Sequence, residues 1–445
     1  MTFKKLLSRF SVISLAILIL VTSTGCGGNS SGGKVSKGDG NSALSGLTLT
    51  EEEIESLRGT TVKYATWKNP EVDEDGPVVK SFKEKYGINV EIVPVKQAGY
   101  SMTIAGMIAS GNAPDVYFST VDFPSYLNCV QPIENSGIDV TDSFWDQSLV
   151  EWATIGGKTY IVNSAGSIWA DIDCLYYNKP LLENNNIATP DAYIEAGQWN
   201  YKALEKIMTD VKNLGSSYTG GAVMFESMLS STNNGFYNWN PKTGKFENGI
   251  NDSLHSVMQT YADWYKKGLI KTYKRNSFMD FTMGNVGICI TNCYGLKKTG
   301  FFKDMDVSSI GFAPLPDVDE NNKAVISGIC RGYGLIKGSK NPKAAGLFLR
   351  HYLDIGNYDT TSAFISEEAE AFFFQLTGAD MTDKYTYSYD GIQSVTKAIF
   401  DTTFVSIATM EPSQVSQKLS SLNNVVEDGV KTLNELVAKK IDEDK

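Results

Sequence analysis

The stretch GYSMTIAGMIASGNAPDVYFSTVDFPSYL (Gly99–Leu127) contains the change of pattern that decides the fold. Apolar residues recur at helical spacing up to Gly111, a residue type that commonly ends helices. Pro114 prevents the helix from continuing, and Val116–Phe118 is apolar on both faces, as a strand covered by helices must be. The stretch therefore predicts a helix, a tight turn and a buried strand.

The residues before this stretch show the same order of elements. Thr60–Asn69 alternates as a first strand, and Ile88–Ile92 alternates as a second. Between them, Val79, Phe82 and Tyr86 form the apolar stripe of a helix. Strand, helix, strand, helix and strand in succession predict a parallel sheet in an α/β lobe.

Two of these strands end in residues that could contact a ligand. The first strand leads into Trp67, Lys68 and Asn69, and the third leads into Ser119–Asp122. In open α/β sheets, ligands bind beyond the carboxyl ends of the strands. We therefore expect these two segments to form one wall of a ligand cleft.

The beginning of the chain has the pattern of an exported protein. A basic start precedes an apolar run from Val12 to Val21, which is too short for a comfortable membrane span. Small residues then lead to Cys26, as in the lipobox of bacterial lipoproteins, although Ser23 stands where that motif usually has Leu. We expect residues 1–25 to be a signal peptide and Cys26 to be lipidated. An uncleaved anchor or a plain secretory signal is the alternative.

Composition gives the next expectations. Residues 26–58 are predicted to be the lipidated cysteine and a flexible tether, because Gly27–Gly46 is almost entirely Gly, Ser, Asn, Lys and Asp. This places the protein at the extracellular face of the bacterial cytoplasmic membrane. Removal of the first 25 residues takes away three basic and no acidic residues, which moves the formal charge from −11 to −14. An acidic surface argues against nucleic acid and anionic lipid as partners.

Later segments extend the α/β pattern. Gly156–Pro190 contains a long aromatic and apolar run that predicts a strand crossing between two lobes. Ile250–Ile270 predicts a helix, Val286–Ile290 a buried strand and Gln414–Lys440 a helix. The roughly 400 residues of the mature chain exceed what one core usually serves, so two lobes are expected.

Cysteine and histidine usage narrows the chemistry. Five cysteines follow Cys26, namely Cys129, Cys174, Cys289, Cys293 and Cys330. This odd number, widely spread, predicts buried thiols rather than a disulfide framework or a zinc site. His255 and His351 lie in helical patterns without a partner motif. No nucleophile elbow or phosphate-binding glycine loop is present either, which agrees with a protein that performs no chemistry, and we expect no cofactor and no metal.

Four segments, taken in order from Thr60 to Leu353, resemble the family 1 extracellular solute-binding proteins, the sugar-capturing components of ABC importers. SGNAPDVYFS is similar to the family's GxAPDV signature, and CLYYNKPLLENNNIATP to its YYNKDLLEKAGI-TP element. FTMGNVGICITNCYGL resembles the strand that precedes a ligand-facing aromatic residue. IGFAPLPDVD and GICRGYGLIKGSKNPKAAGLFLRHYL resemble the family's APLP and SKNPEAA block.

The resemblance implies an α/β fold of the periplasmic-binding-protein type, with two lobes, crossing strands and hinge closure on a ligand. Lobe one would comprise residues 59–170 plus 326–378, and lobe two residues 171–325 plus 379–440. The implied function is capture of a carbohydrate, with an oligosaccharide as the expected ligand, and delivery to the transmembrane subunits of an ABC permease, without catalysis. We expect the protein to be a monomer.

Site residues follow from the resemblance one at a time. Asp122 lies seven residues beyond Asp115, where the maltose-binding branch has a sugar-binding carboxylate, and a carboxylate accepts hydrogen bonds from adjacent hydroxyls. Tyr294 occupies the position of the family's stacking tryptophan and offers a flat face and a hydroxyl. Trp67 and Lys68 fall where the loop after the first strand contacts ligand, although the polar residues of the maltose branch are missing there.

The crossings between lobes supply four more candidates. Trp169 and Asp171 lie at the first crossing, and Arg331 and Tyr333 at the return, so all four are expected to face the cleft. Structural roles are the alternatives: Trp67 and Trp169 as core residues, and Arg331 as the partner of an interlobe carboxylate. Asp122 could likewise cap the helix that follows it.

Three other functions remain open from the sequence. An extracellular glycoside hydrolase needs two carboxylates across a cleft. The chain has 51 acidic residues, so such a pair is compatible with its composition. The same fold could bind a peptide, an amine or an iron chelate instead of a sugar. It could also serve as a surface adhesin without a permease.

Overall fold

The computed structural model describes residues 44–67, 76–96, 99–118, 129–165, 167, 171–230, 236–271, 278–319, 324, 328–329, 332–357, 363–378 and 410–444. All of them belong to one compact unit, Ser42–Lys445. The helices of this part of the chain are α1 (Glu51–Ser56), α2 (Gly76–Tyr86), α3 (Tyr100–Ala109), α4 (Gln147–Trp152), α5 (Lys179–Asn184), α6 (Pro190–Glu195), α7 (Tyr201–Lys212), α8 (Phe225–Ser230), α9 (Asp252–Lys266), α10 (Phe278–Thr282), α11 (Pro342–Tyr352), α12 (Glu367–Gly378) and α13 (Val415–Glu443). None of them combines the length and the apolar character needed to cross a membrane.

The strands form two main sheets and two short hairpins. They are β1 (Thr61–Thr66), β2 (Asn89–Pro94), β3 (Val116–Phe118), β4 (Val130–Gln131), β5 (Thr154–Ile155), β6 (Lys158–Thr159), β7 (Asp171–Asn178), β8 (Thr219–Val223), β9 (Tyr237–Asn240), β10 (Lys245–Asn248), β11 (Val286–Asn292), β12 (Ile310–Ala313), β13 (Gly328–Ile329) and β14 (Tyr333–Ile336). The first sheet has the order β2-β1-β3-β14-β4, and the second has the order β12-β7-β11-β8 with β13 on β7.

The first sheet confirms the predicted order of elements. β1 pairs in parallel with both β2 and β3, and α2 and α3 connect these strands. Val116 and Tyr117 are fully buried, as a strand covered on both faces requires. Gly111 follows the end of α3 with a φ of +75°, a left-handed conformation that glycine adopts without steric cost. The turn therefore forms where the sequence predicts it.

Asp115 shows why a carboxylate stands directly before β3. Its side chain is 3% exposed and accepts hydrogen bonds from the backbone N–H of Lys63 (2.8 Å) and the hydroxyl of Ser339 (2.6 Å). The backbone N–H groups of Lys340 (3.1 Å) and Asn341 (3.4 Å) also point at it, just before α11 begins. Charge-assisted hydrogen bonds of this kind are strong, and a helix start favours negative charge. Asp115 thus ties β1, β3 and α11 together.

The second sheet is built around β7 and β11. β11 pairs in parallel with β8 and antiparallel with β7, and β12 lies on the other side of β7. One face is covered by α7 and α9, whose apolar residues pack on Ile288 and Ile290. The opposite face carries Cys174, Tyr176 and Cys289 beneath Phe302 and α12. The predicted helix and buried strand of this region are confirmed in α9 and β11.

The chain crosses twice between the sheets. Val162 still forms an isolated bridge with Tyr333 of β14 in the first sheet, whereas β7 begins in the second sheet at Asp171. The return strand β13 pairs antiparallel with the start of β7, with Gly328 opposite Ile172. The crossing expected within Gly156–Pro190 is therefore confirmed.

The expected tether at residues 26–58 is too long. Leu47 and Leu49 are buried in the core of the first sheet, and Trp145 donates its indole N–H to the carbonyl of Gly46 at 2.9 Å. Thr50 then caps α1 reciprocally with Glu53. Residues 44–58 therefore belong to lobe one, because their leucines alternate onto an apolar surface and a capping box follows.

The predicted lobe boundaries also need two changes near the C-terminus. Residues 363–378 do not follow lobe one, because Phe364 and Phe373 pack in the core beneath the second sheet. α13 does not belong to lobe two alone. Its first half packs on α9, whereas Leu433 and Val437 pack with Trp152 and its neighbours in the core of the first lobe. The predicted helix is thus present, but it contacts both halves of the molecule.

Candidate functional site

An aromatic cluster marks the carboxyl edge of the first sheet. Trp67, immediately after β1, is half-buried and lies edge-on to Tyr100 (ring centroids 5.0 Å apart) and Phe118 (5.3 Å). The Tyr100 hydroxyl donates to the carbonyl of Ala65 at 2.7 Å and accepts from the backbone N–H of Phe118 at 3.2 Å. Tyr100 therefore holds the ends of β1 and β3 together. The half-buried position suits either a packing role for Trp67 or a partly exposed ring.

Tyr333 does not lie on an open surface. Its side chain is 1% exposed, and its ring packs against Tyr64 (6.3 Å), Phe118 (5.0 Å) and Tyr352 (5.5 Å). Its backbone exchanges hydrogen bonds with Val162. The expectation that Tyr333 faces a cleft is therefore corrected: the strand alternation of β14 directs this side chain into the core of the first sheet.

Tyr294 has the opposite environment. It follows β11 in a 3₁₀ turn, Cys293–Leu296, and its side chain is 39% exposed. Asn292 caps this turn by accepting a hydrogen bond from the Tyr294 N–H at 3.1 Å. The Tyr294 hydroxyl donates to the carbonyl of Thr299 at 2.7 Å. The ring of Phe301 packs edge-on against the Tyr294 ring, with the ring centroids 5.2 Å apart. The hydroxyl is thus already engaged, and the ring face is the part that a ligand could use.

The layer beneath Tyr294 is apolar and unreactive. Tyr176 donates its hydroxyl to the carbonyl of Asn292 at 2.9 Å, which holds the end of β11. Burial raises the pKa of the Tyr176 hydroxyl and of the Cys174 and Cys289 thiols well above their usual values. Thiols that remain protonated are poor nucleophiles and poor metal ligands. The predicted buried thiols are confirmed at Cys174 and Cys289.

Several expected site residues lie outside the described residues. These are Lys68, Asn69, Ser119, Asp122, Trp169 and Arg331, together with Cys26 and Cys330. The strand position of Asp171 is described, at the start of β7, but its side chain is not. The described residues therefore give one candidate at each sheet, Trp67 and Tyr294.

In the described part of the chain, the histidines and acidic residues do not assemble a metal centre. No group of three or more His, Cys, Asp or Glu side chains in the described ranges could hold a metal ion. His255 contacts the Ser416 hydroxyl at 2.8 Å on the surface. His351 is buried between α2 and α11, where its Nε2 lies 2.8 Å from the Ser81 hydroxyl.

Sequence reasoning missed the residues that orient these two aromatic side chains. Tyr100 acts through a hydroxyl that joins two strand ends, and Thr299 acts through a backbone carbonyl in a loop. Neither contact has a signal in periodicity. The aromatic residue that opens α3 was visible in the sequence, but its partner atoms were not.

Residues 58–357 match the family model described as bacterial extracellular solute-binding protein. No curated protein sequence matches the chain.

Three solved structures resemble the chain with TM-scores of 0.60. The extracellular solute-binding protein from Staphylococcus aureus in complex with maltose is 14% identical over 84% of this chain and 98% of that chain. The sugar-binding protein MalE from Xanthomonas citri is 14% identical over 85% and 98%, respectively. The cyclic alpha-maltosyl-1,6-maltose binding protein from Arthrobacter globiformis is 12% identical over 85% and 99%. At these identities the likeness shows the fold, and it confirms the two-lobed α/β architecture of the periplasmic-binding-protein type.

Proposed function

The chain belongs to the family of bacterial extracellular solute-binding proteins, and from this premise we propose that it captures a carbohydrate, most simply an oligosaccharide, for an ABC importer. The family match, which spans strands of both sheets, is the observation that supports the proposal most. The similar structures from S. aureus and A. globiformis are described as binding maltose and a cyclic maltosyl sugar, and this favours a sugar as the ligand.

The family is non-catalytic, so the protein is a binding protein and not a glycoside hydrolase. Its task is to hold a solute, not to change it. The proposed mechanism is therefore hinge closure: the ligand contacts both lobes when they are shut and mainly one when they are open. A ligand can shift this equilibrium only by its difference in affinity for the two states.

The proposed contacts come from both strand edges. Tyr294 would present its ring face to the C–H groups of a pyranose, since its hydroxyl is engaged by Thr299. Trp67 would contribute the exposed part of its ring from the other lobe. The remaining proposed contacts are Lys68, Asn69, Ser119, Asp122, Trp169, Asp171 and Arg331. The buried Tyr333 is no longer among them.

We further propose that Cys26 carries lipid and that residues 27–43 tether the protein to the outer face of the cytoplasmic membrane. The apolar run before Cys26 and the Gly- and Ser-rich residues after it support this arrangement. Loading with a sugar would then take place beside the transmembrane subunits of the permease.

A thermal-shift screen against mono- and oligosaccharides tests the ligand class. A sugar that binds only the folded protein raises the unfolding temperature. At a concentration 100 times its Kd it adds about 2.7 kcal/mol to the free energy of unfolding. Tyr294→Ala should remove most of this shift and leave the unliganded unfolding temperature nearly unchanged, with only the small loss expected from the exposed Thr299 hydrogen bond and Phe301 contact. Tyr294→Phe should keep the shift. A shift with an amine, a peptide or an iron chelate, and with no sugar, would replace the ligand class.

A further inference from the structure

A second concave surface lies at the other end of the second sheet from Tyr294. It is a depression of about 920 Å³ where β7 ends and where β8, β11 and β12 begin. The residues that matter here are Met279, Met283, Phe301, Asp304, Met305 and Asp306, and we call this surface the β11-start groove. It adjoins the Tyr294 side through Phe301, whose ring centroid lies 5.2 Å from that of Tyr294.

The walls of the β11-start groove are fixed to each other from below. Phe281 of α10 and Phe302 of the opposite loop are both fully buried, and their rings pack 5.3 Å apart. Phe302 also packs edge-on against Tyr176 of β7 at 4.7 Å. Asn178 at the end of β7 donates to the carbonyl of Gly284 at 3.2 Å, which holds the segment after α10. The groove is therefore a preformed surface with a packed floor.

Four apolar side chains are exposed or partly exposed on its upper surface, among polar ones. Met279 is 55% exposed and Met283 is 77% exposed, and these two belong to the six large hydrophobic residues that are exposed in the described part of the chain. Met305 and Phe301 stand partly exposed on the facing loop. Methionine is flexible and polarizable, so Met-rich surfaces adapt to apolar side chains of varied shape. Clustered exposed apolar residues mark interaction sites.

The acidic residues at the rim of the groove indicate a partner with basic residues. Asp304 and Asp306 are exposed on the loop side, and among the described residues that line the groove there is no Lys or Arg. Lys303, beside the rim, contacts Asp304 at 3.2 Å, but the Asp304 side chain is 85% exposed and therefore remains accessible. Asp306 is held in place by accepting hydrogen bonds from the N–H (3.0 Å) and the hydroxyl of Ser308 (2.8 Å). An apolar floor with an acidic rim is complementary to an apolar segment that carries basic residues.

We propose that the β11-start groove docks an extracellular peptide segment that presents two or three apolar side chains flanked by Lys or Arg. The apolar side chains would pack between the methionines of α10 and the loop that carries Met305. The basic side chains would lie over Asp304 and Asp306. Met279, Met283 and Asp304 are not among the proposed sugar contacts, whereas Phe301 lines the groove and packs against the ring of Tyr294, which is one of those contacts.

The test uses the full mature chain and a labelled helical peptide of about 16 residues, with Leu at i, i+3, i+4 and i+7 and Lys elsewhere. Fluorescence anisotropy measures its Kd. Met279→Ser with Met283→Ser should weaken binding about tenfold, because two apolar contacts are lost. Asp304→Asn should weaken it about threefold and reduce the salt dependence, as expected for a rim charge.

Matched controls exist elsewhere on the surface. Met102 on α3 is 67% exposed, and Glu84 pairs with Lys80 on α2 much as Asp304 pairs with Lys303. Met102→Ser and Glu84→Gln should leave the Kd unchanged. If the double methionine variant is unstable, Met283→Ser alone repeats the test at the more exposed position.

Three results would overturn the proposal. They are absence of peptide binding, equal binding by the double methionine variant and the wild type, and equal binding of a peptide with Glu in place of Lys. Self-association of the chain that disappears in the double methionine variant would make a second copy the occupant and would likewise overturn it. Sugar binding is measured separately on the same proteins, so a failure of the proposed transport function leaves these results intact.

Discussion

Substitution of Asp115 should destabilise lobe one without touching ligand affinity. The carboxylate is 3% exposed and accepts three hydrogen bonds of 3.1 Å or less, from Lys63, Ser339 and Lys340. Hydrogen bonds to a charged group are worth about 1.5–3 kcal/mol each, but removal of the carboxylate also relieves its own desolvation. We therefore expect Asp115→Ala to lower the free energy of unfolding by about 4 kcal/mol, because the donors that lose their acceptor cost about 1–3 kcal/mol each when they are buried.

The Asn variant grades this effect. Asp115→Asn keeps one acceptor oxygen, so it can serve either the Lys63 N–H or the Ser339 and Lys340 donors, and we expect about half the loss, roughly 2 kcal/mol. At about 2–4 °C per kcal/mol for a lobe-sized unit, the Ala variant should unfold at least 8 °C lower. Thermal unfolding of the unliganded protein, followed by circular dichroism, measures this shift.

Asp304→Ala is the control for this measurement, because its side chain is 85% exposed and its removal should leave the unfolding temperature unchanged. An Asp115→Ala protein with the same unfolding temperature as the wild type would refute the proposed hydrogen-bond network. If it instead kept its stability and lost sugar binding, Asp115 would be a ligand contact and not a scaffold residue.

Two further predictions concern packing in lobe one. Burial and the nearby Lys85 lower the pKa of His351 below the ordinary value of about 6.5, so the folded state favours neutral His351 and stability is lost as pH falls below about 6.5. His351→Gln should flatten the decline in unfolding temperature between about pH 7 and pH 5, and an unchanged slope would contradict this. A Cβ on Gly346 would stand 2.4 Å from the carbonyl oxygen of Ser136. Gly346→Ala should therefore cost about 1–3 kcal/mol in urea unfolding, despite a gain of about 1 kcal/mol in helix propensity; a more stable variant would disprove the close contact.

The strands and helices of the first lobe could be predicted because their burial pattern is local. Val116–Phe118 is apolar on both faces, and Gly111 and Pro114 define the turn before it; these features are visible in a short window of sequence. The same holds for α9, whose buried face repeats at helical spacing. Where one element covers another, periodicity is sufficient to find both.

The membership of segments in lobes could not be predicted in this way. The aromatic residues of α12 pack beneath the second sheet, and α13 contacts both lobes, because complementary surfaces far away in sequence select these positions. The tether was overestimated for the opposite reason. Leu47 and Leu49 follow Gly- and Ser-rich residues, which hides them in a composition typical of a tether. The capping box at Thr50 is the local pattern that indicates folded structure in this segment.

For the candidate site as well, the sequence predicts the position of a residue along the chain better than the direction of its side chain. Tyr294 could be placed at a strand end from the sequence, and it is exposed there. Tyr333 was expected at the cleft because it follows a crossing, but strand alternation turns its ring into the core. Successive side chains of a strand point to opposite faces, so the face that Tyr333 occupies depends on the residue at which the strand begins after the crossing. The sequence pattern does not define that first residue to within one position.

Isothermal titration calorimetry of residues 26–445 with a panel of mono- and oligosaccharides, with each sugar recovered and analysed afterwards, is the decisive measurement for a non-catalytic sugar-binding protein. We expect saturable binding of at least one sugar with one site per chain and recovery of that sugar intact. Absence of binding to every sugar would contradict the proposed ligand class, and recovery of cleaved sugar would contradict a non-catalytic binding protein.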